Sequence, residues 1–381
     1  MAAGEQDDDH EDESAEGGGS LAGPLTRRRA LLGMSAVAGV AAVDVGAFAY
    51  AGGWLRSGAL TPARFADRFE TVYGRHDGFR RNHAKGLSAT GTFASTGAGA
   101  AVCRAALFQP GSVPLVGRFS LGGGLPDQAD KPDTVRGLGL LFQTGGQQWR
   151  TAMINLPVFT DSTPQGFYDR LLASKPLPAT GKPDPQRMAA FLDRHPETVA
   201  AMKVIKQAPP SAGFADSTFH GLNAFWFTNS AGATVPVRWS VVPQQGTRAG
   251  SRADAPASPS DKGGKDYLFD EVIRAVAQGP LTWRLLLTVG ERGDPITDAT
   301  KPWPSSRRSV DAGTVTITAV QTEEGGNARD INFDPLVLPD GITVSDDPLL
   351  AARSAVYARS FTRRAEEPKS PSAVQVGEVL K

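Results

Sequence analysis

The feature that most constrains this chain is the segment 341–357, near the C-terminus, which has the pattern of a capped helix. The side chain of Asp347 can accept hydrogen bonds from the free N–H groups of a helix, and Pro348 stands at the first helical position, where its missing N–H group is no loss. The Leu- and Ala-rich residues that follow favour a helix. Arg353 and Tyr357 are four residues apart, so this helix places both side chains on one face.

An arginine one helical turn from a tyrosine affects how well the phenol can bind a metal ion. A protonated phenol is a poor metal ligand, whereas a neighbouring guanidinium favours the phenolate, which is an anionic donor for ferric iron. The alternative is structural: Arg353 is then a surface side chain packed on a half-buried Tyr357, as most such pairs on helices are.

A second polar segment, residues 80–86, reads Arg-Arg-Asn-His-Ala-Lys-Gly. It resembles the distal-side motif Arg-x-x-His-Ala-Lys-Gly of the haem catalases. The C-terminal pattern Asp-x-x-Leu-x-x-Arg-x-x-x-Tyr, which starts at Asp347, resembles the proximal helix of the same family. Shorter pieces between them match the family in order, and they occupy residues 116–120, 136–142, 155–159, 300–304 and 333–335.

The resemblance covers about residues 63–365 and is strongest to the small catalase-related peroxidases, a bacterial and often exported subgroup. It implies that His83 is the acid/base for a peroxide, Asn155 a hydrogen-bond donor to the peroxide oxygens and Tyr357 the axial ligand of a b-type haem iron. It further implies that haem is contacted by four arginines, two phenylalanines and a serine: Arg80, Arg118, Arg353, Arg364, Phe159, Phe167 and Ser120. We expect Ser120 to bond His83 and fix its tautomer.

The remainder of this region predicts alternating short helices and strands. Hydrophobic spacing indicates helices over residues 62–73, 164–173, 185–206 and 266–278. Apolar or alternating runs predict strands over residues 88–93, 115–120, 138–144, 149–155, 224–228, 235–242, 281–289 and 314–320. The Gly-, Ser- and Asp-rich stretch 244–265 predicts a mobile loop. We therefore expect an α+β fold with a catalase-like antiparallel β-barrel, surrounding helices and a buried haem.

The two ends of the chain differ from this core in composition. Residues 1–25 are acidic and glycine-rich, which predicts a disordered tail. Residues 26–60 contain Arg27-Arg28-Arg29 before an apolar run, which indicates a twin-arginine export signal and a periplasmic or cell-envelope protein. The alternative is an uncleaved anchor in the inner membrane over residues 30–54. Residues 61–368 form the expected haem peroxidase domain, and residues 369–381 a flexible tail.

Composition excludes several classes of function. Lysine and arginine total 40 and aspartate and glutamate total 40, and this balance argues against a nucleic-acid partner. Cys103 is the single cysteine of the chain, so neither an intramolecular disulfide nor a thiol peroxidase with a resolving cysteine is possible.

From the resemblance we expect a peroxide, a small organic reductant and the export machinery as partners. We also expect a monomer or homodimer, because the long arms of tetrameric catalases are lacking.

Departures from the family pattern shape the functional hypothesis. Asn82 stands where catalases usually have Val, Thr160 where they have a second Phe, and residues 358–360 read Ala-Arg-Ser in place of Pro-Asp-Thr. The first two changes make the pocket near His83 more polar. We therefore expect one-electron oxidation of organic reductants at the expense of hydrogen peroxide disproportionation. The alternatives are a hydroperoxide-rearranging enzyme on the same fold, a non-enzymatic haem carrier and a structural exported barrel.

Overall fold

The computed structural model describes residues 60–245 and 264–381. The predicted acidic tail and export signal, and most of the predicted mobile loop, lie outside these residues. Within the described ranges, no helix is long and apolar enough to span a bilayer.

Four of the seven described helices begin where the sequence provides a capping side chain. Thr61, Thr163, Asp184 and Asp347 each accept a backbone N–H with their side chains, and proline occupies the first turn after each of them. The helices are α1 (Pro62–Tyr73), α2 (Pro164–Ala173), α3 (Pro185–Leu192), α4 (Pro196–Gln207), α5 (Tyr267–Gln278), α6 (Pro348–Ala365) and α7 (Val376–Val379).

The strands form one antiparallel sheet that closes on itself. They are β1 (Gly86–Ser95), β2 (Gly111–Leu121), β3 (Arg136–Thr144), β4 (Gln147–Ile154), β5 (Phe219–His220), β6 (Phe225–Thr228), β7 (Thr234–Pro243), β8 (Leu281–Val289), β9 (Ser309–Gln321) and β10 (Ile342–Val344). Among the described strands, eight form the ring β7-β5-β4-β3-β2-β1-β9-β8, which the β7–β8 pairing closes. Strands β6 and β10 extend outward from β7. The predicted α+β barrel is therefore confirmed.

Aromatic side chains fill the barrel interior. Trp149 stacks on Phe142 with a centroid distance of 5.3 Å and meets Trp239 edge-on at 5.0 Å, and all three rings are buried. Trp283 packs against Phe119 in the same cluster. An eight-stranded barrel has room for little more than its own side chains. A large ligand must therefore bind against the outer wall of the barrel.

Ion pairs join the first and last long helices over that wall. Glu70 of α1 accepts from Arg81 at 2.7 Å and from Arg363 of α6 at 2.9 Å. Arg81 is buried and also bonds both carboxylate oxygens of Glu367, at 2.5 and 2.9 Å. Burial and the bidentate geometry make the Arg81 pairs stronger than isolated surface pairs.

Two predictions about local structure need correction. The sequence predicts one helix over residues 185–206, whereas α3 ends at Leu192 and α4 begins at Pro196. The reason is that proline has no N–H to continue a helix and restricts the residue before it to an extended conformation.

The second correction concerns the predicted flexible tail over residues 369–381, which is packed in the structure. The Ser370 carbonyl accepts from Arg329 at 2.6 Å, and the side chain of Val374 is 2% exposed within the main hydrophobic core. Val376 and Val379 pack against the same core, but these three valines are too few and too irregularly spaced for the sequence to show a periodicity.

Replacement of Val374 by Ala is expected to lower the free energy of unfolding by about 2 kcal/mol, because two buried methyl groups are lost. The matched control is Leu380→Ala, since Leu380 is 52% exposed and its removal is expected to change stability by less than about 0.5 kcal/mol. Urea unfolding of both variants measures the difference. Equal stabilities would show that residues 369–381 do not contribute to the folded core.

Candidate active site

A cavity of about 390 Å³ lies between the outer face of β2, β3 and β4 and the helices α1, α2 and α6. It brings together nine of the ten residues that the sequence singles out: Arg80, His83, Arg118, Ser120, Phe159, Phe167, Arg353, Tyr357 and Arg364. Residues more than 270 positions apart thus share one site.

Two glycines of β3 line the barrel wall that faces the cavity. Gly137 and Gly139 of β3 lie two residues apart, so both face the same side of the sheet. A Cβ atom at Gly137 would lie 2.7 Å from the Ser120 Oγ and 3.0 Å from the His83 ring. One at Gly139 would lie 2.9 Å from the Phe333 ring. The two glycines therefore allow the Ser120 hydroxyl, the His83 ring and the Phe333 ring to approach β3 more closely than a side chain would permit.

His83 is held by its backbone as well as by its ring. Its φ angle is +56°, in the left-handed region that costs a non-glycine residue about 1 kcal/mol or more. The Arg118 guanidinium donates to the His83 carbonyl at 2.9 Å, and the Ala84 N–H donates to the Gly123 carbonyl at 3.0 Å. The His83 Nδ1 lies 3.0 Å from the Ser120 Oγ, as expected from the sequence. This leaves Nε2 for a ligand.

The His83 imidazole is kept neutral by its surroundings. Burial, followed by the positive charges of Arg118, Arg80 and Arg353, lowers the pKa of His83 to about 3. The ring can thus accept a proton from a ligand over the whole physiological pH range.

A cluster of guanidinium groups lines one end of the cavity. Arg118 is buried and bonds both oxygens of Glu323, at 2.6 and 2.9 Å, while an Arg80 terminal nitrogen lies 3.6 Å from Glu323. Burial alone would raise the pKa of Glu323, but Arg118, then Arg80 and Arg329, lower it on balance. Arg364 is buried and donates to the carbonyls of Arg329 and Ile331. Three lining arginines thus face one carboxylate.

Arg353 and Tyr357 lie on α6, which begins as predicted after Asp347, whose Oδ1 accepts from the Leu349 N–H at 2.9 Å. Arg353 donates to the carbonyl of Ala152 on β4 at 3.0 Å and to the Asn223 side chain. Asn223 in turn donates to Asp347 Oδ2 at 2.7 Å. This chain fixes the guanidinium beside the cavity. Within the described residues the Tyr357 hydroxyl makes no hydrogen bond.

Asn155 is the predicted site residue that the structure places apart. Its neighbours Ile154 and Leu156 line the cavity, whereas Asn155 does not. Its Oδ1 accepts from the Arg136 N–H at 2.8 Å, and its own N–H donates to the Arg136 carbonyl at 3.0 Å. The side-chain Nδ2 has no partner among the described residues, so it is the one group of Asn155 left to act as a donor.

Three residues that contribute to the site were not predicted from the sequence. Glu323 lies in an ordinary acidic stretch, and Asn223 follows no motif. Leu222 also lines the cavity and has a φ angle of +67°. Non-glycine residues in the left-handed region concentrate at functional sites, and in the described ranges only His83 and Leu222 have this conformation. No sequence pattern marks it for leucine.

The residues present fit haem on observations of this structure. Gly137 and Gly139 line the cavity without side chains, and the Phe159 and Phe167 rings, 5.5 Å apart, provide apolar contact. The excess of arginine over carboxylate suits a group that carries two carboxylates. Tyr357 and His83 provide an oxygen donor and a neutral base in the same cavity.

Comparison with known proteins gives an independent result. The family model described as Catalase matches residues 78–368. The catalase-related peroxidase of Synechococcus elongatus is 39% identical over 306 residues, which covers 80% of this chain and 89% of that protein. The catalase-related peroxidase of Mycolicibacterium paratuberculosis is 33% identical over 312 residues, which covers 81% of this chain and 96% of that protein.

Solved structures show the same fold. Catalase A from Saccharomyces cerevisiae matches with a TM-score of 0.66 at 22% identity, covering 79% of this chain and 65% of that one. A bacterial catalase matches with a TM-score of 0.65 at 24% identity, covering 79% of this chain and 61% of that one. This chain therefore spans slightly less than two thirds of either solved chain.

The environment of His83 predicts its titration. In the haem-free protein we expect the imidazole to remain neutral down to about pH 4, because its pKa is lowered to about 3. In the unfolded chain the pKa is about 6.5, so acidification between these values favours unfolding through this group. NMR titration of the ring protons, assigned with His83→Gln, measures the midpoint. A midpoint near 6.5 would contradict the described surroundings.

Proposed function

Because this chain belongs to the catalase family, we propose that it is a haem-dependent peroxidase that reduces hydrogen peroxide or organic hydroperoxides with a small organic electron donor. Weak catalase activity and a role in oxidative-stress defence are part of the proposal. The observation that carries it is a single cavity lined by both His83, whose ring is fixed and neutral, and Tyr357, whose hydroxyl is unpaired among the described residues.

The cofactor is proposed to be a b-type haem. Cys103 is the single cysteine and is buried, so covalent attachment through two thioethers is excluded. The Tyr357 Oη would hold the haem iron, and Arg80, Arg118 and Arg364 would pair with the two carboxylates. Haem iron, when bound, supplies the redox chemistry of peroxide cleavage.

His83 is proposed to move the proton. Its Nδ1 donates to the Ser120 Oγ in the tautomer that this role requires, and Nε2 then accepts the proton of the peroxide and returns it to the departing oxygen. The low pKa of the ring favours this return. Asn155 is proposed as the donor to the peroxide oxygens on its motif alone: it lies outside the cavity lining, between Ile154 and Leu156 that line it, and the contact with Arg136 engages its Oδ1 and leaves Nδ2 without a partner among the described residues.

Arg353 is proposed to provide positive charge on the α6 side of the cavity, where an anionic cofactor would bind. Its two terminal nitrogens are occupied by Ala152 and Asn223, and Asn223 is itself bonded to Asp347. This anchoring keeps the guanidinium one helical turn from Tyr357.

Two polar residues support peroxidase chemistry over disproportionation. Asn82 lines the cavity next to His83, and its Oδ1 accepts from the Gly123 N–H at 2.9 Å. Thr160 also lines the cavity and donates to Asp161 at 2.7 Å. Apolar residues here would narrow the approach and exclude water. The polar side chains favour entry of organic molecules with hydrogen-bonding groups.

The chain is further proposed to be exported through the twin-arginine machinery to the periplasm or cell envelope, as a monomer or homodimer, with residues 26–60 as the signal or residues 30–54 as an inner-membrane anchor. The support is the sequence around Arg27, Arg28 and Arg29, which lies outside the described residues. Replacing these three arginines by lysine should retain the protein in the cytoplasm. Unchanged export would contradict this part of the proposal.

His83→Gln is expected to lower the rate of reaction with hydrogen peroxide by about 10²–10⁴-fold, because the proton transfer loses its base. Stopped-flow absorbance on the haem-loaded protein measures the rate. The matched control is His220→Gln: His220 is also half-buried but lies on β5 outside the cavity lining. Its rate should equal that of the wild type. Equal rates in both variants would exclude His83 as the base.

Asn82→Val is expected to raise the ratio of hydrogen peroxide disproportionation to one-electron donor oxidation severalfold, because it makes the wall beside His83 apolar and narrower. Both steady-state activities are measured on the same preparation. Asn82→Ala is the control for the lost bond to Gly123, because it removes the acceptor without adding volume. An unchanged ratio in Asn82→Val would remove this explanation of the partition.

A further inference from the structure

The arginines that line the cavity differ in whether their terminal nitrogens have hydrogen-bond or ion-pair partners. Six line it: Arg80, Arg81, Arg118, Arg170, Arg353 and Arg364. In five of them both terminal nitrogens contact carbonyl groups, carboxylates or an amide. Within the described residues, both terminal nitrogens of Arg170 lack a partner, and only its Nε is engaged.

Arg170 is nevertheless fixed in position. It lies in the last turn of α2, and its Nε donates to both oxygens of Asp161, at 2.9 and 2.8 Å. Asp161 is fully buried and also accepts from Thr160. Because the anchor holds Nε alone, the outer edge of the guanidinium fork remains available for a bidentate acceptor.

An aromatic band begins at this arginine. The guanidinium carbon of Arg170 lies 5.2 Å from the centre of the Phe167 ring. Phe167 in turn contacts Phe65 at 6.2 Å, Phe69 at 6.0 Å and Phe159 at 5.5 Å between ring centres. All four rings line the cavity. A bidentate donor at the end of a run of aromatic rings matches a molecule with a carboxylate on a flat apolar body.

We propose that Arg170 anchors the carboxylate of the organic electron donor, and that this donor is an aromatic carboxylic acid whose ring lies along Phe65 and Phe69, the neighbours of Phe167 that are not assigned to haem. The inference rests on the proposed function, because it names the class of that donor. Tyr73 also lines the cavity: burial raises its pKa, and the charge of Arg170 opposes that rise. The positive charge of Arg170 therefore acts inside this part of the cavity.

The other arginines are unsuitable for this role. Arg80, Arg118 and Arg364 are the proposed partners of the haem carboxylates, and Arg353 is committed to Asn223 and Ala152. Arg81 is committed to Glu70 and Glu367. Arg170 is then the one lining arginine of the described chain that remains for an organic anion in the haem-loaded protein.

Calorimetric titration of the haem-loaded protein with benzoate and with benzamide tests the binding step. The wild type should bind benzoate about tenfold or more tighter than benzamide, since a bidentate charged hydrogen bond distinguishes the two. Arg170→Gln should weaken benzoate binding to the level of benzamide and leave benzamide unchanged. The control Arg187→Gln removes an exposed arginine of α3, outside the cavity lining, and should behave as wild type.

Donor oxidation tests the role in turnover. With 4-hydroxybenzoate as donor, Arg170→Gln should raise KM about tenfold, while KM for 4-hydroxybenzamide stays constant. Equal affinity of the wild type for benzoate and benzamide would overturn the inference, and this comparison needs no variant. Arg170→Lys, which keeps a charge beside Asp161 but loses the fork, serves where Arg170→Gln does not fold, and it too should lose most of the benzoate preference.

The two proposals fail differently. If the wild type oxidises both phenols with equal KM, and Arg170→Gln changes neither, the peroxidase function stands and the carboxylate anchor is excluded. If benzoate binding depends on Arg170 but no phenol is oxidised, the anion site stands and the donor-dependent peroxidase function, with the assignment of this anion as its donor, is excluded.

Discussion

The filled interior of the barrel is the constraint on which the site depends. Trp149, Trp239 and their aromatic neighbours leave no space inside, so a haem-sized group has to lie on the outer wall. The wall meets this need with residues that alternate in direction: Phe119 points inward, while Arg118 and Ser120 line the cavity. Glycines beside them remove the side chains that would otherwise cover the surface. The core and the site are thus two faces of the same strands.

Buried charge is the second physical constraint on the site. The guanidinium of Arg118 connects the backbone of His83 to the carboxylate of Glu323, so the base and the anion-binding end of the cavity are positioned by one side chain. Uncompensated positive charge is costly in a buried site unless an anion joins it. Burial, and after it the same charge, keeps the pKa of His83 low. Binding of a dianionic cofactor and readiness of the base therefore have a common electrostatic cause.

Local features of the sequence predicted the local structure well. The α6 helix begins at Pro348 because Asp347 caps it within a few residues, and nine of the ten site residues predicted from the sequence line the cavity. The sequence did not predict the long-range contacts. The turn of Asn155 toward Arg136 and the burial of Val374 both depend on packing between distant elements. Whether the terminal nitrogens of Arg170 have partners depends on the residues that surround the guanidinium in space. The spacing of residues along the chain does not show this.

The central claim is that Tyr357 ligates haem iron across the cavity from His83. The most direct measurement is the absorption spectrum of protein expressed with adequate haem, for the wild type, Tyr357→Phe and Tyr73→Phe, since Tyr73 also lines the cavity but lies on α1. The account predicts a ferric tyrosinate-type spectrum for the wild type and Tyr73→Phe, and its loss in Tyr357→Phe. A haem-free wild type, or an unchanged spectrum in Tyr357→Phe, would contradict it.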